Sequence, residues 1–232
     1  MNITARKGIL YLVPTPIGNL GDITPRAVET LKSVDIIACE DTRHSAPLFS
    51  KLGIQKRLVS YHDFNESKRA DDLIRELHAG MAVAVVTDAG TPGICDPAYR
   101  LVCRAISAEI DIIALPGASA LLPAITASGL PADRFFFEGF LPHKSSARKK
   151  RLAELSLFPH TLVFYESPHR LLKTLEAMKE VLGDVPVVVA RELTKKFEEV
   201  FRADLSGQIN HFSNKKIRGE FVVLLNLGYE RA

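Results

Sequence analysis

Four short segments carry most of the side chains on which chemistry could be done, and each follows an apolar run. They are Pro14-Thr15-Pro16-Ile17-Gly18-Asn19-Leu20-Gly21-Asp22, Glu40-Asp41-Thr42-Arg43-His44, Thr87-Asp88-Ala89-Gly90-Thr91-Pro92-Gly93-Ile94-Cys95-Asp96-Pro97 and Pro116-Gly117-Ala118-Ser119-Ala120. The third is the richest. Gly90 and Gly93 permit positive φ or a close approach of backbone to a ligand, and Asp88 and Asp96 place carboxylates beside them. Asp96 before Pro97 equally suits a helix start. The second segment sets polar and ionisable side chains directly after a buried run. That is costly unless they line an open cleft or pair with one another, as Asp41 and Arg43 are spaced to do. The fourth is small throughout and leaves room for a flat ligand against backbone.

The first segment invites comparison with a dinucleotide fingerprint, in which Glu40 or Asp41, about 20 residues on, would hold a ribose. The GxGxxG pattern is absent, and Pro14 and Pro16 lack the N–H donors that a pyrophosphate cradle needs. A rigid Pro/Gly turn without a ligand is the alternative for this segment alone. Taken together, the four supply backbone polar groups, small residues and carboxylates, with few Lys or Arg. Such a slot suits a nucleoside-like, cationic ligand better than a phosphate. S-adenosylmethionine has this character: its ribose hydroxyls want a carboxylate, and its sulfonium is repelled by a nearby cation.

The elements between these segments alternate. Residues 9–13, 36–39, 82–86 and 112–115 read as strands; their runs are continuous rather than alternating, which favours a parallel sheet covered on both faces. Thr24 and Pro25 suit the start of a helix, and residues 65–79 carry Leu73, Ile74 and Leu77 at helical spacing before Gly80. In such a sheet, ligands bind beyond the carboxyl ends of the strands, where the four segments lie. The second half reads as a mixed sheet, with strands at 135–137, 162–165, 187–190 and 221–227 and an exposed hairpin strand at 198–202. Ser167 and Pro168 are expected to start a helix that runs to Leu182 and stops at Gly183.

The chain has 232 residues, 47% of them hydrophobic and 25% charged, which excludes a disordered or fibrous protein. No apolar run approaches the roughly 20 residues needed to span a bilayer, and residues 1–7 lead into the first strand without a secretory signal, so the expected location is cytoplasmic. Cys39, Cys95 and Cys103 form no CxxC pair and are expected to be reduced and mostly buried; the His residues show no metal-binding spacing, so no metal is expected.

Charge divides unevenly. Residues 1–133 hold 13 Lys plus Arg against 15 Asp plus Glu, whereas residues 134–232 hold 17 against 12. The change falls in the turn-rich stretch 128–133, and two lobes are expected, 1–129 and 135–232. In the second lobe Lys144, Arg148, Lys149, Lys150 and Arg151 form one cationic cluster and Lys215, Lys216 and Arg218 another. Phosphate neutralisation on RNA is the functional reading of both, and a solvated helix face the bland one.

Five segments together resemble one family. Residues 12–20, Glu40-Asp41-Thr42-Arg43, residues 88–94, Pro116-Gly117-Ala118-Ser119-Ala120 and Phe164-Tyr165-Glu166-Ser167-Pro168-His169-Arg170 are similar to those of the ribosomal RNA small subunit methyltransferase I family, within the tetrapyrrole methylase superfamily. The resemblance runs from about Gly8 to Leu227. It implies a two-lobed α/β fold that binds S-adenosylmethionine in the cleft between lobes, as a homodimer, and 2′-O-methylates a cytidine ribose in the decoding region of 16S rRNA. It places cofactor contacts at Pro14, Asp88, Gly90, Gly93, Ile94, Ala118, Ser119 and Tyr165. Thr87 and Cys95 stand where the family is expected to have Ser, and Ala232 ends the chain short of a C-terminal segment in longer relatives, which bears on the RNA grip rather than the cofactor. Glu40, Asp41 and Glu166 are candidate bases for the ribose hydroxyl, and Arg43 and Arg170 could hold phosphate or orient a carboxylate. Glu166 and Arg170, four residues apart, could also simply pair. A methylase of a small tetrapyrrole or other metabolite, and a non-catalytic RNA-binding factor, are the competing readings.

Overall fold

The computed structural model describes residues 8–62 and 65–228. Residues 1–7, from which no secretory signal is expected, lie outside them. Contacts divide the chain into two compact units, Met1–Ser119 and Ala120–Ala232.

The first unit is a five-stranded parallel sheet. Its strands are β1 (Leu10–Leu12), β2 (Ile36–Cys39), β3 (Arg57–Ser60), β4 (Val83–Val86) and β5 (Ile112–Ala114), in the order β3-β2-β4-β1-β5. The helices between them are α1 (Pro25–Ser33), α2 (Thr42–Lys51), α3 (Glu66–His78) and α4 (Tyr99–Ser107). Successive strand residues point to opposite faces, so each continuous apolar run supplies two cores. On one face Tyr11, Ile37, Cys39, Ala84 and Val86 pack with Ala27 and Leu31 of α1 and Phe49 of α2. On the other, Leu10, Ile36, Ala38, Val83 and Val85 pack with Leu73 and Leu77 of α3 and Leu101 and Ala105 of α4.

This order sets where a ligand can enter. From β1 the chain crosses over α1 to β2 on one side; from β4 it crosses over α4 to β5 on the other. β1 and β4 are neighbours whose onward connections diverge to opposite faces, and that reversal opens a crevice at their carboxyl ends.

Thr24 Oγ1 accepts the Ala27 N–H at 3.1 Å with Pro25 at the first helical position, as the sequence suggests. Gly80 has φ 86° and its N–H donates to Leu77 O, closing α3. Asp96, by contrast, does not cap α4, which begins at Tyr99 after Ala98. Cys39 is buried, but Cys95 is exposed and Cys103 half-buried, so burial of the thiols holds only for the first.

The second unit is a mixed sheet, as expected. Its elements in order are α5 (Leu121–Ser128), β6 (Phe135–Phe140), α6 (Ser145–Leu155), β7 (Thr161–Glu166), α7 (Leu171–Leu182), β8 (Pro186–Arg191), β9 (Glu199–Asp204), α8 (Leu205–Ser213) and β10 (Phe221–Leu225). Strands run β6-β7-β10-β8-β9, with β6 and β7 parallel and the other pairs antiparallel. Phe164, Val189, Val223 and Leu225 pack with Leu152, Leu175, Met178 and Phe212 from α6, α7 and α8. α5 lies in this unit, and Arg202 of β9 donates to the carbonyls of Ala127 and Ser128 at its end. The stretch 128–133, where charge changes sign, therefore falls inside the second unit.

α7 starts at Leu171, not at Ser167 and Pro168. Ser167 O accepts the N–H groups of both Arg170 and Leu171 at 3.1 Å, and the Ser167 N–H donates to Glu166 Oε1 at 2.8 Å. Residues 167–170 are thus spent on a turn that folds back on the end of β7. Gly183 ends the helix as read, with φ 82°.

Candidate active site

In the first unit the segments that follow β1, β4 and β5 are stitched to one another. Thr15 and Gly90 pair as a short antiparallel bridge, with N–H to O distances of 2.9 and 3.0 Å. Thr15 Oγ1 donates to Thr87 O at 3.0 Å, and Thr91 Oγ1 donates to Ala118 O at 2.9 Å. Gly117 sits against Pro14 so closely that a Cβ there would lie 2.6 Å from Pro14 Cβ; only glycine fits. Gly90, at φ 89°, takes the left-handed backbone that favours glycine, with Ile17 Cγ2 and Ala118 O at ordinary contact distance from where a Cβ would stand. Pro14, Gly90 and Ala118 are thereby brought to the mouth of the β1–β4 crevice. Gly93 adopts φ 84° and Ile94 is partly exposed nearby in sequence, while Ser119 is half-buried. Sequence reasoning missed Thr15, Thr91 and Gly117 as the stitches. A threonine or glycine in each of three strand-end segments was the available signal.

Carboxylates gather beside this wall at the end of β2. The Asp41 N–H points to Asp88 Oδ1 at 3.4 Å, joining the second segment to the third. Burial pushes the Cys39 thiol up to about 11; the hydrogen bond with Ser45 opposes that, while the negative charges of Asp88 and Asp41 add to it. Asp41 caps α2 through the Arg43 N–H (2.8 Å) and holds the Arg43 guanidinium at 3.2 and 3.0 Å. Hydrogen bonds from the Arg43 side chain and backbone draw its carboxyl down to about 2. The pairing that was the plainer reading of Asp41 and Arg43 is therefore present, and Arg43 extends into solvent with its charge matched. Glu40 is half-buried between Cys39 and Asp41.

In the second unit, Glu166 and Arg170 are likewise paired. Glu166, 2% exposed, accepts from Thr174 Oγ1 at 2.5 Å and from the Ser167 N–H, and lies 3.3 Å from Arg170 Nε. Arg170 also donates to Leu141 O at 2.5 Å. Arg148 completes the network: it is 5% exposed and donates to Pro142 O (3.2 Å), His143 O (2.9 Å) and Thr174 Oγ1 (3.4 Å). These residues pin the 141–144 segment to the end of β7. Arg148 is thus buried with its donors engaged by the chain, unlike the exposed cations with which the sequence groups it. Its place at four and seven residues before buried Leu152 and Leu155 was the signal that it faces inward. Both oxygens of Glu166 are thus engaged within the unit. Tyr165 stands edge-on between Phe137 (4.8 Å) and Phe140 (5.9 Å).

The remaining cations divide in two groups. Lys149 pairs with Glu180, Arg151 with Glu138 and Glu154, and Lys215 with Glu199. Lys144, Lys150, Lys216 and Arg218 are exposed and make no ion pair among the described residues. Among those residues no group of His, Cys, Asp or Glu could hold a metal, and no helix is long and apolar enough to cross a membrane.

Comparison with known proteins bears on the family and the fold. Residues 9–207 match the family described as Tetrapyrrole (Corrin/Porphyrin) Methylases. The chain is 49% identical over 219 residues to the ribosomal RNA small subunit methyltransferase I of Synechocystis sp., covering 94% of this chain and 78% of that protein. It is 49% identical over 228 residues to the protein of the same name from Vibrio cholerae, covering 97% and 78%. A cobalamin biosynthetic enzyme, cobalt precorrin-4 methyltransferase, shares the fold with a TM-score of 0.71 at 17% identity, over 97% of each chain.

Proposed function

Because this chain belongs to the ribosomal RNA small subunit methyltransferase I family of the tetrapyrrole methylases, we propose that it uses S-adenosylmethionine to methylate the 2′-hydroxyl of a cytidine ribose in the decoding region of 16S rRNA. The observation that carries the reading is the crevice at the end of β1 and β4, walled by close backbone, bordered by Asp88 and lacking any unpaired cation among the described residues of its four segments.

The residues present fit that cofactor. Asp88 offers a carboxylate to ribose hydroxyls, Pro14, Gly90, Gly93 and Ala118 let a flat group approach backbone, and Ile94 and Ser119 border the same segments. Tyr165 is proposed as the contact from the second unit. When bound, the cofactor supplies an electrophilic methyl on a cationic sulfur, and transfer to a ribose oxygen releases one proton. Positioning of that oxygen supplies most of the acceleration, and a carboxylate that takes the proton adds to it. Asp41, held near 2 by Arg43, is a weak base and serves to fix the turn. Glu40 is the carboxylate we assign to the proton. Glu166, Arg170 and Arg148 act at a distance, by shaping the 141–144 segment that leads into Lys144.

Lys144, Lys150, Lys216 and Arg218 are assigned to phosphate, with Lys149, Arg151 and Lys215 contributing charge they share with carboxylates. The reading implies a cytoplasmic homodimer acting on the small subunit or its RNA. The test is mass spectrometry of small-subunit RNA from cells with and without the gene. Loss of a 2′-O-methylcytidine in the decoding region is expected, and an unchanged level rejects the substrate.

A further inference from the structure

The turn between β8 and β9 is built more rigidly than a hairpin connection requires. Two of its non-glycine residues take left-handed backbone, Glu192 at φ 49° and Thr194 at φ 67°. For a β-branched threonine this is an outlier conformation, and Thr194 Oγ1 is buried without a hydrogen bond. The strain is held by a dense set of contacts. The Glu192 N–H donates to Glu220 O (3.0 Å), the Lys195 N–H to Glu192 O (3.0 Å), the Thr194 N–H to Glu198 Oε2 (2.6 Å) and the Glu198 N–H to Lys195 O (3.1 Å). Lys195 Nζ bridges Glu192 (2.8 Å) and Glu220 (2.7 Å), and Leu193 is buried beneath.

These contacts absorb Glu192, Lys195 and Glu198. The side chains left at the tip are Lys196 and Phe197. Phe197 is 66% exposed, with Lys196 Nζ 5.6 Å from its ring centroid. Beside them lies the segment that leads into β10, tied in where Arg191 Nε donates to Arg218 O (2.8 Å) and where Gly219 leaves room for the Glu192 side chain. It presents Lys216 and Arg218 without ion pairs among the described residues. One exposed phenylalanine needs no explanation. One carried on a strained, over-determined turn, next to Lys196 and on a turn to which the segment bearing Lys216 and Arg218 is tied, has the composition of a nucleic-acid contact.

We propose that Phe197 is a stacking platform for an unpaired base of the RNA substrate, with Lys196 on an adjoining phosphate. The inference rests on the functional reading above and adds to it the requirement for single-stranded RNA at this point. A rigid turn suits the role, since a backbone already fixed loses little freedom when a base stacks on the side chain it carries.

The experiment measures binding of a fluorescent single-stranded oligonucleotide carrying the decoding-region sequence, and of the same sequence in a duplex, over a salt series. Calorimetry with S-adenosylmethionine runs alongside. Phe197→Ala is expected to weaken single-strand binding roughly 5- to 150-fold with an unchanged salt slope and unchanged cofactor affinity. Phe197→Tyr should restore it, Phe197→Leu should not, and Lys196→Ala should make the salt slope on the single strand shallower by about 0.7. Wild-type affinity in Phe197→Ala, or rescue by leucine as good as by tyrosine, overturns the proposal. So does a Phe197→Ala protein that keeps its RNA affinity but fails on assembled subunits, which would mark a protein contact. If the unaltered protein methylates the RNA while Phe197→Ala behaves as wild type, only this inference falls; if the unaltered protein neither binds nor methylates RNA, both fall.

Discussion

Asp88 and Asp41 illustrate how two carboxylates in one crevice acquire different work. Asp41 is fully engaged: it caps α2, accepts from Arg43 and is drawn down to about 2. A depressed carboxyl contributes above its ordinary value, near 4, and its contribution disappears as pH falls through the folded value. The Asp41–Arg43 pair should therefore persist at neutral pH and dissolve only between about pH 4 and pH 2. Carboxyl-resolved NMR titration checks this, and a midpoint near 4 contradicts it. Asp88 receives one long contact from the Asp41 N–H and keeps acceptor capacity for a ligand. Asp88→Ala should weaken S-adenosylmethionine binding by roughly 10- to 150-fold, the loss of a charge-assisted hydrogen bond of about 1.5–3 kcal/mol. RNA affinity should change far less, and calorimetry beside RNA titration separates the two. Arg148 marks the limit of reading residues from sequence. It belongs to a run of cations, yet helical geometry turns it inward with Leu152 and Leu155, and its donors are taken by two carbonyls and Thr174. Arg148→Ala should cost about 2–4 kcal/mol of stability by leaving buried acceptors unmet, with the effect read in chemical denaturation.

At the scale of elements, four of the five strands of the first unit were legible because continuous apolar runs have few alternatives, whereas β3 (Arg57–Ser60), an edge strand exposed or half-buried along its length, was not. Thr24-Pro25 and Gly80 marked helix ends by local chemistry alone. Ser167-Pro168 and Asp96-Pro97 offered the same kind of signal and did not start helices. In the first case, the Ser167 backbone is committed to Glu166 and to the turn before Leu171, and that commitment depends on Thr174 and Arg170, which a local pattern does not contain. The crevice had the same mixed legibility. Its segments stood out by composition, but the stitches that join them connect residues far apart in the chain, Thr15 with Gly90 and, farther still, Pro14 with Gly117. Gly117 tests whether those stitches matter. An alanine there would put its Cβ 2.6 Å from Pro14 and force the segment after β5 away from the segment after β1. Overpacking of this kind costs about 1–3 kcal/mol. Gly117→Ala should lose cofactor affinity along with that stability, whereas Ala120→Gly, near the end of the same segment, should not. Equal calorimetric affinity for the two variants removes the stitch from the site.

For the whole molecule the relevant quantity is charge left unmatched. The second half of the sequence holds five more Lys plus Arg than Asp plus Glu, but the cations of its two clusters are not equivalent. Arg148 is internal, and Lys149, Arg151 and Lys215 already face carboxylates at 2.6 to 3.3 Å. A phosphate must compete with those carboxylates, so such residues return less affinity than their number suggests. Lys144 and Lys150 carry no such partner among the described residues; Lys144 stands at the N-cap of the α6 start that Arg148 anchors, and Lys150 lies midway along the helix. If they neutralise two phosphates of single-stranded RNA, Lys144→Ala with Lys150→Ala should make the slope of log affinity against log salt shallower by about 1.4. Lys149→Ala with Arg151→Ala, which removes as much formal charge, should change the slope less, because it also frees Glu180, Glu138 and Glu154 from their partners. The comparison is made on one oligonucleotide, by anisotropy, with thermal melts to show that both double variants fold. Equal slopes for the two would mean that proximity of the cluster, rather than which of its charges are already matched, governs the grip on RNA.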